Sequence, residues 1–256
     1  MTDFRKEIIA ELKNLLKSND AVFTVWEGGS AATGYLDDLS DLDLGVICKD
    51  DAVEEVFEQI EIYLEKKYGI KTRFRMPEPS WHGHSQCFYI LKNSPPLFYV
   101  DLLIEKLSAK NRFMESDRHG NSQIWFDKKS LMDPTPTPEE EIQKKGKRIY
   151  KNIKESFPFL VMDAQKQILR KNKIDAFDLY FRVLSRLGVA LNLKYRPHKY
   201  DFGLRYLYRD YPENELKFLE NLLFVEDFIQ LQPKLDIAVK RFNELIEELK
   251  ADWDTE

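Results

Sequence analysis

Cysteine is nearly absent from this sequence: Cys48 and Cys87 are the only two among 256 residues. Two thiols cannot build a disulfide framework, and no paired Cys/His spacing accompanies them, so a structural zinc site is excluded. Both lie in strand-like segments, and buried free thiols of a cytoplasmic protein are the expectation. Long apolar runs are missing too. No stretch approaches the roughly 18 apolar residues of a membrane span, and Met1–Ala10 lacks the apolar core of a signal peptide. No internal repeat and no low-complexity tract interrupts the chain. Positive charge does not predominate: 39 Lys and Arg against 44 Asp and Glu leave a formal net charge of −5. Strongly basic chains suit polynucleotides, and here no basic stripe could track a phosphate backbone, so a nucleic-acid partner is disfavoured. A cationic small molecule or a protein suits this balance at least as well.

The 43% of apolar residues is enough for real cores, and 32% charged residues suit a solvated surface. The length corresponds to one large domain or two modest ones. The most informative stretch runs from Val22 to Ile47. Val22, Phe23, Val25 and Trp26 have the β-branched and aromatic character of a buried strand. The strand stops at Gly28-Gly29-Ser30, where the missing Cβ atoms let backbone approach a ligand closely. Ser30–Thr33 then opens a short helix, with Ser30 as its N-cap in the plainest reading. The unpaired N–H groups of such a turn also suit phosphate. A second strand follows over Asp41–Ile47. Alternation puts Asp41 and Asp43 on one face and Leu42 and Leu44 on the other. Asp37, Asp38, Asp41 and Asp43 crowd acid into seven positions, a concentration that favours a cation among them.

This pattern resembles the polymerase-β-like nucleotidyltransferase superfamily. There, Gly-Ser after a strand is followed, roughly ten residues on, by Asp-x-Asp on the next strand and by a later acid on a third. Gly29-Ser30, Asp41-Leu42-Asp43, and Asp101 within Leu97–Leu103 match these parts in order. The resemblance implies that Asp41, Asp43 and Asp101 are the catalytic and metal-binding carboxylates, holding Mg²⁺, with two ions about 3.5–4 Å apart. It also implies a nucleoside triphosphate co-substrate, with ATP the first candidate, cradled by Gly28, Gly29 and Ser30. Ser40 matches a serine that precedes the Asp-x-Asp and fixes its loop.

Along the remaining chain, Asp3–Lys17 and Asp51–Lys67 read as amphipathic helices. Ile70–Arg75, Gln86–Leu91, Leu97–Ile104 and Ile124–Asp127 read as strands. His82 and His84 stand two apart with no third metal-ligating partner nearby, which favours a loop or substrate-rim role. Glu105 shares its strand with Asp101 and is an alternative general base. Asp133–Pro138, with alternating prolines, is a stiff linker. Beyond it the pattern predicts helices over Glu139–Ser156, Asp175–Tyr195, Leu204–Tyr208, Glu215–Leu223 and Leu235–Leu249. Asp175–Tyr195 is apolar over most of its circumference, as the centre of a bundle would be. The basic-aromatic cluster from Arg196 to Arg209 reads either as helix-end packing or as a source of Lys199 or Arg205 for phosphate.

The predicted architecture is α+β. A small mixed sheet with flanking helices forms a catalytic domain over 1–133, and a helical bundle fills 134–256. That layout resembles the antibiotic nucleotidyltransferases. The resemblance implies transfer of a nucleoside monophosphate to a hydroxyl of a small, aminoglycoside-like acceptor, with release of pyrophosphate. Such enzymes often pair, which leaves a homodimer open. The alternative is an antitoxin-type nucleotidyltransferase, which modifies or binds a partner protein.

Overall fold

The computed structural model describes residues 3–254. The chain is α+β and divides into two compact units, the first ending at Pro136 and the second starting at Thr137.

The first unit is built on one six-stranded mixed sheet. Its strands are β1 (Val22–Glu27), β2 (Leu42–Cys48), β3 (Ile70–Arg75), β4 (Ser85–Leu91), β5 (Tyr99–Lys106) and β6 (Gln123–Asp127), in the spatial order β3-β4-β5-β2-β1-β6. Only β2 and β5 run parallel; every other neighbouring pair is antiparallel. Helix α1 (Asp3–Lys17) and helix α3 (Val53–Tyr68) supply Ile8, Leu12, Leu16, Val56, Phe57, Ile60 and Leu64 to a core on one face of this sheet. Strand alternation delivers the other half of that core: Leu42, Leu44 and Val46 from β2, Val100, Leu102 and Ile104 from β5, and Cys87 and Tyr89 from β4. The intervening residues must therefore face the other way. Phe23, Trp26 and Ile47 on that second face form a smaller cluster with Met114. Two short helices, α2 (Gly29–Thr33) and α4 (Ser116–His119), complete the unit.

The second unit is helical: α5 (Glu139–Arg170), α6 (Lys173–Tyr195), α7 (Leu207–Asp210), α8 (Glu213–Leu223), α9 (Leu231–Glu248) and α10 (Lys250–Trp253). Its core joins Tyr150, Ile153 and Phe157 of α5 to Tyr180, Val183, Leu187 and Leu191 of α6 and Leu235 and Phe242 of α9. The rings of Phe157 and Phe242 stack at 3.5 Å.

The structure departs from the sequence reading in four places. Helix α5 does not stop at Ser156 but continues through Pro158 to Arg170. Interior proline costs about 3 kcal/mol, but Phe157, Val161 and Ala164 carry the buried stripe past it, and their burial outweighs the cost. Helix α6, apolar over most of its circumference, lies in the bundle core as expected, but Phe177 and Phe181 are about half exposed and its buried residues concentrate from Tyr180 onward. The expected helix at Leu204–Tyr208 is displaced to α7, because Tyr206 takes a left-handed conformation with φ of 62° just before it. Finally, the cap of α2 is Gly28, and Ser30 lies inside the helix.

Close packing between β1 and β2 is set by a glycine. Gly45 opposes Trp26 across the antiparallel ladder, and a Cβ on Gly45 would lie 2.2 Å from the indole ring. The Gly45→Ala variant is expected to lower the urea-unfolding free energy of the first unit by about 1–3 kcal/mol through overpacking. An unchanged urea midpoint would show that Trp26 can move aside.

Candidate functional site

The odd-numbered residues of β2 and β5 lie on the face turned away from the α1/α3 core. In the parallel register Asp43 pairs with Asp101, Gly45 with Leu103 and Ile47 with Glu105. Neighbouring strands are about 4.8 Å apart, so the backbone itself holds Asp43 and Asp101 side by side. β4 contributes Gln86 to the same face, since Cys87 and Tyr89 point into the core. Gln86 Nε2 donates to Asp101 Oδ1 at 2.6 Å.

Asp41 comes just before β2, outside the ladder. Its position is fixed through Arg5 of α1, whose Nη1 donates to the carbonyl of Asp41 and, at 3.2 Å, to that of Ser40. Arg5 Nη2 also pairs with Glu27 at the end of β1, and both side chains are buried. Burial, together with the nearby acids Asp41, Asp43 and Asp101, raises the pKa of the Tyr99 phenol.

The glycine turn lies against these acids. The Gly28 N–H donates to the Asp43 carbonyl at 2.9 Å. Gly29 has φ of +54°, and a Cβ there would fall 1.7 Å from Asp43 Oδ2. Only glycine satisfies both conditions. Ser30 Oγ is buried and lacks a hydrogen-bond partner. Ser40 closes its own loop instead, its hydroxyl donating to Asp37 Oδ1 at 2.9 Å and accepting from the Asp37 N–H at 3.0 Å.

Electrostatics mark the carboxylates as a strained group. Burial, then repulsion from Asp41 and Asp101, pushes Asp43 up to about 7. Burial raises Asp101 to about 6, with Gln86 opposing and Asp41 adding to the shift. Among the described residues no three His, Cys, Asp or Glu side chains are drawn together closely enough, as they stand, to hold a metal ion. The donor chemistry nevertheless fits a hard divalent cation, which takes oxygen ligands and would relieve this repulsion.

Two expected site residues are engaged elsewhere. Lys199 binds both carboxylate oxygens of Asp210 at 3.0 Å, within the second unit. Asp210 also accepts from the fully buried Arg196 at 2.7 Å. Glu105 is completely enclosed, with Arg112 Nε 3.3 Å from one oxygen and His84 Nε2 3.9 Å from the other. Four residues of strand separate it from Asp101, about 13 Å.

Arg5, Gln86 and Tyr99 were not singled out from the sequence. A signal for Arg5 was present: it continues the buried stripe of Ile8, Leu12 and Leu16 at helical spacing. For Gln86 and Tyr99 only the strand register supplies the partner.

Residues 6–97 match a family model described as a nucleotidyltransferase domain, and the match ends before Asp101. No curated protein matches the chain. Among solved structures, an aminoglycoside 6-adenyltransferase from Bacillus subtilis is 12% identical, with a TM-score of 0.36, over 100% of this chain and 93% of that one. A nucleotidyltransferase-like protein from Exiguobacterium sibiricum 255-15 is 15% identical, also with a TM-score of 0.36, over 95% of this chain and 73% of its own. Among the described residues no helix is long and apolar enough to cross a membrane.

The enclosed glutamate gives a pH signature. Burial, opposed by Arg112, raises Glu105 from 4.5 to about 8. Between those values the unfolded chain binds fewer protons than the native one, so this contribution to stability is complete below about pH 4.5 and lost as pH rises through about 8. The Glu105→Gln variant is expected to lose less thermal stability than wild type between pH 5 and pH 9, the difference reaching about 2–4 °C or more. Parallel melting curves for the two proteins would show that Glu105 does not hold this proton.

Proposed function

We propose that the protein is a Mg²⁺-dependent nucleotidyltransferase, transferring a nucleoside monophosphate from a nucleoside triphosphate to a hydroxyl of a small-molecule acceptor. One observation carries this reading: the parallel register that sets Asp43 beside Asp101, directly under a glycine turn whose Gly29 touches the Asp43 carboxylate. The matched nucleotidyltransferase domain supports it.

In this reading the acceptor oxygen forms a bond to the α-phosphorus while the α–β phosphoanhydride bond breaks and pyrophosphate leaves. Asp41, Asp43 and Asp101 would hold the divalent cation. Bound there, it would neutralise charge on the phosphates and on the leaving pyrophosphate. Gly28 and Gly29 let the triphosphate approach the backbone, and the unpartnered Ser30 hydroxyl donates to a phosphate oxygen. Asp101 receives the proton of the acceptor hydroxyl. Glu105 is unsuited as the base, being enclosed with Arg112. The cationic, hydroxyl-rich aminoglycosides are the first acceptor class to test, because the chain carries a net charge of −5.

The test is metal-dependent transfer of label from α-labelled ATP, GTP, CTP and UTP to an aminoglycoside and lincosamide panel and to a cell lysate. Label on a small molecule is expected, with Asp43→Asn lowering the rate at least about 100- to 1000-fold while the protein remains folded. Label confined to a protein band would replace the small-molecule acceptor by a partner protein. Near-normal transfer by folded Asp43→Asn protein would defeat the mechanism.

A further inference from the structure

A hydrogen-bonded chain runs from the loop before β4 to Asp101, and its proton positions follow from its geometry. The backbone N–H of His84 donates to His82 Nδ1 at 3.1 Å. The Ser80 hydroxyl lies 3.3 Å from the same nitrogen, but its proton is given to the His84 carbonyl; the assignment that keeps the shorter His84 N–H bond leaves Nδ1 bare and puts the hydrogen of the neutral His82 ring on Nε2. That Nε2 lies 3.1 Å from Gln86 Oε1, an atom that only accepts. With Oε1 so engaged, the amide must present Nε2 to Asp101 Oδ1, where it donates at 2.6 Å. Flipping the amide would set oxygen against carboxylate and N–H against N–H, losing both bonds at once.

The ring at the head of this chain is held as well. Trp81 lies edge-on to His82 at 5.0 Å, His84 stacks at 5.5 Å, and Phe113 meets it edge-on at 5.8 Å. The Ser80 hydroxyl donates to the His84 carbonyl at 2.5 Å and so steadies the peptide that addresses Nδ1. None of this serves the main core. Gln86 and His82 are only partly buried, and Gln86 projects from the face of β4 opposite Cys87 and Tyr89.

We propose that Gln86, aimed by His82, is a positioning residue that fixes the rotation of the Asp101 carboxylate, holding Oδ1 and leaving Oδ2 for the cation or the acceptor proton. The inference rests on the nucleotidyl-transfer reading. A carboxylate on a strand can still rotate about its χ angles, and the backbone register alone does not set the direction of its lone pairs. Residues that orient a ligand in this way typically matter 10- to 100-fold to metal affinity or activity. A free Asp101 would spread its lone pairs over several directions, whereas the amide bond selects one.

Full-length protein tests this by two readouts other than turnover. Long-range ¹H–¹⁵N spectra report the histidine tautomers, and with four histidines in the chain the His82 signals can be assigned from a His82→Phe sample. Binding of Mn²⁺ in the presence of an equimolar mixture of ATP, GTP, CTP and UTP is followed by water-proton relaxation. Wild type is expected to show His82 protonated on Nε2 alone. Gln86→Met is expected to bind Mn²⁺·nucleotide about 10- to 100-fold more weakly with a thermal midpoint close to wild type. His82→Phe should weaken binding in the same sense, and His82→Gln, which keeps an N–H donor near the Nε2 position, should restore most of it. Equal binding by wild type and Gln86→Met, or a proton on His82 Nδ1, would overturn the proposal. Equal losses in His82→Gln and His82→Phe would remove His82 from it and leave only packing. Absence of Mn²⁺·nucleotide binding by wild type would defeat the nucleotidyl-transfer reading itself, whereas binding by wild type that Gln86→Met matches defeats this inference alone.

Discussion

The site depends on the single parallel strand pair in the sheet, β2 beside β5. An antiparallel or shifted partner would remove the match of Asp43 with Asp101, and a one-residue slip would turn one of them into the α1/α3 core. The pairing holds against the cost of burying the acids and, after it, their mutual repulsion. Raising Asp43 from 3.8 to about 7 corresponds to about 4 kcal/mol of unfavourable charge at neutral pH. On the reverse side of the same two strands, Leu42, Leu44, Val46, Val100, Leu102 and Ile104 are essentially solvent-free. Each such side chain contributes about 1.5–3 kcal/mol. Burial of two or three of them offsets the acids, so the register is dictated by the apolar face and the carboxylates are carried along with it.

Arg5 extends that control beyond the ladder. Asp41 lies outside the strand ladder, and the loop before it is closed by the Asp37–Ser40 turn. The guanidinium reaches from α1 to the carbonyls of Ser40 and Asp41 and to the Glu27 carboxylate, tying a helix, the end of β1 and the start of β2 together. A buried ion pair is weak evidence for stability, because desolvation consumes much of the attraction. Its planar fork of donors does specify geometry. In this site Arg5 acts chiefly as a template, and the stability comes from the leucines and isoleucines that share its helix face.

Much of this was legible locally. α1, β3 and the two halves of the glycine–Asp-x-Asp stretch follow from periodicity and turn chemistry within a dozen residues, and the family match covers that same region. Asp101 could be named only by resemblance, and its adjacency to Asp43 is a property of strand pairing that no local pattern encodes. Local rules failed where tertiary burial opposed them. Pro158 should end a helix, yet apolar residues on both sides carry α5 through. Ser30 suits an N-cap, yet the backbone begins the helix one residue earlier, leaving its hydroxyl buried and unpartnered. Lys199 looked available for phosphate because Asp210, eleven residues on, gave no sign in sequence of turning back to meet it.

Strand β5 shows how environment separates chemically equivalent groups. Asp101 and Glu105 lie on one face of one strand, and burial raises both. At Glu105 the neighbour is Arg112, full exposure is lost, and two histidine- and arginine-bearing loops close over the carboxylate. A carboxyl so enclosed can hold a loop in place but cannot meet a substrate. At Asp101 the neighbour is a neutral amide, which orients one oxygen without supplying a counter-charge. On the proposed reading a bound cation would answer the negative charge there. That difference, a fixed cation at one end of the strand and only a dipole at the other, is why the proposed mechanism gives Glu105 a structural part and places its chemistry on Asp101.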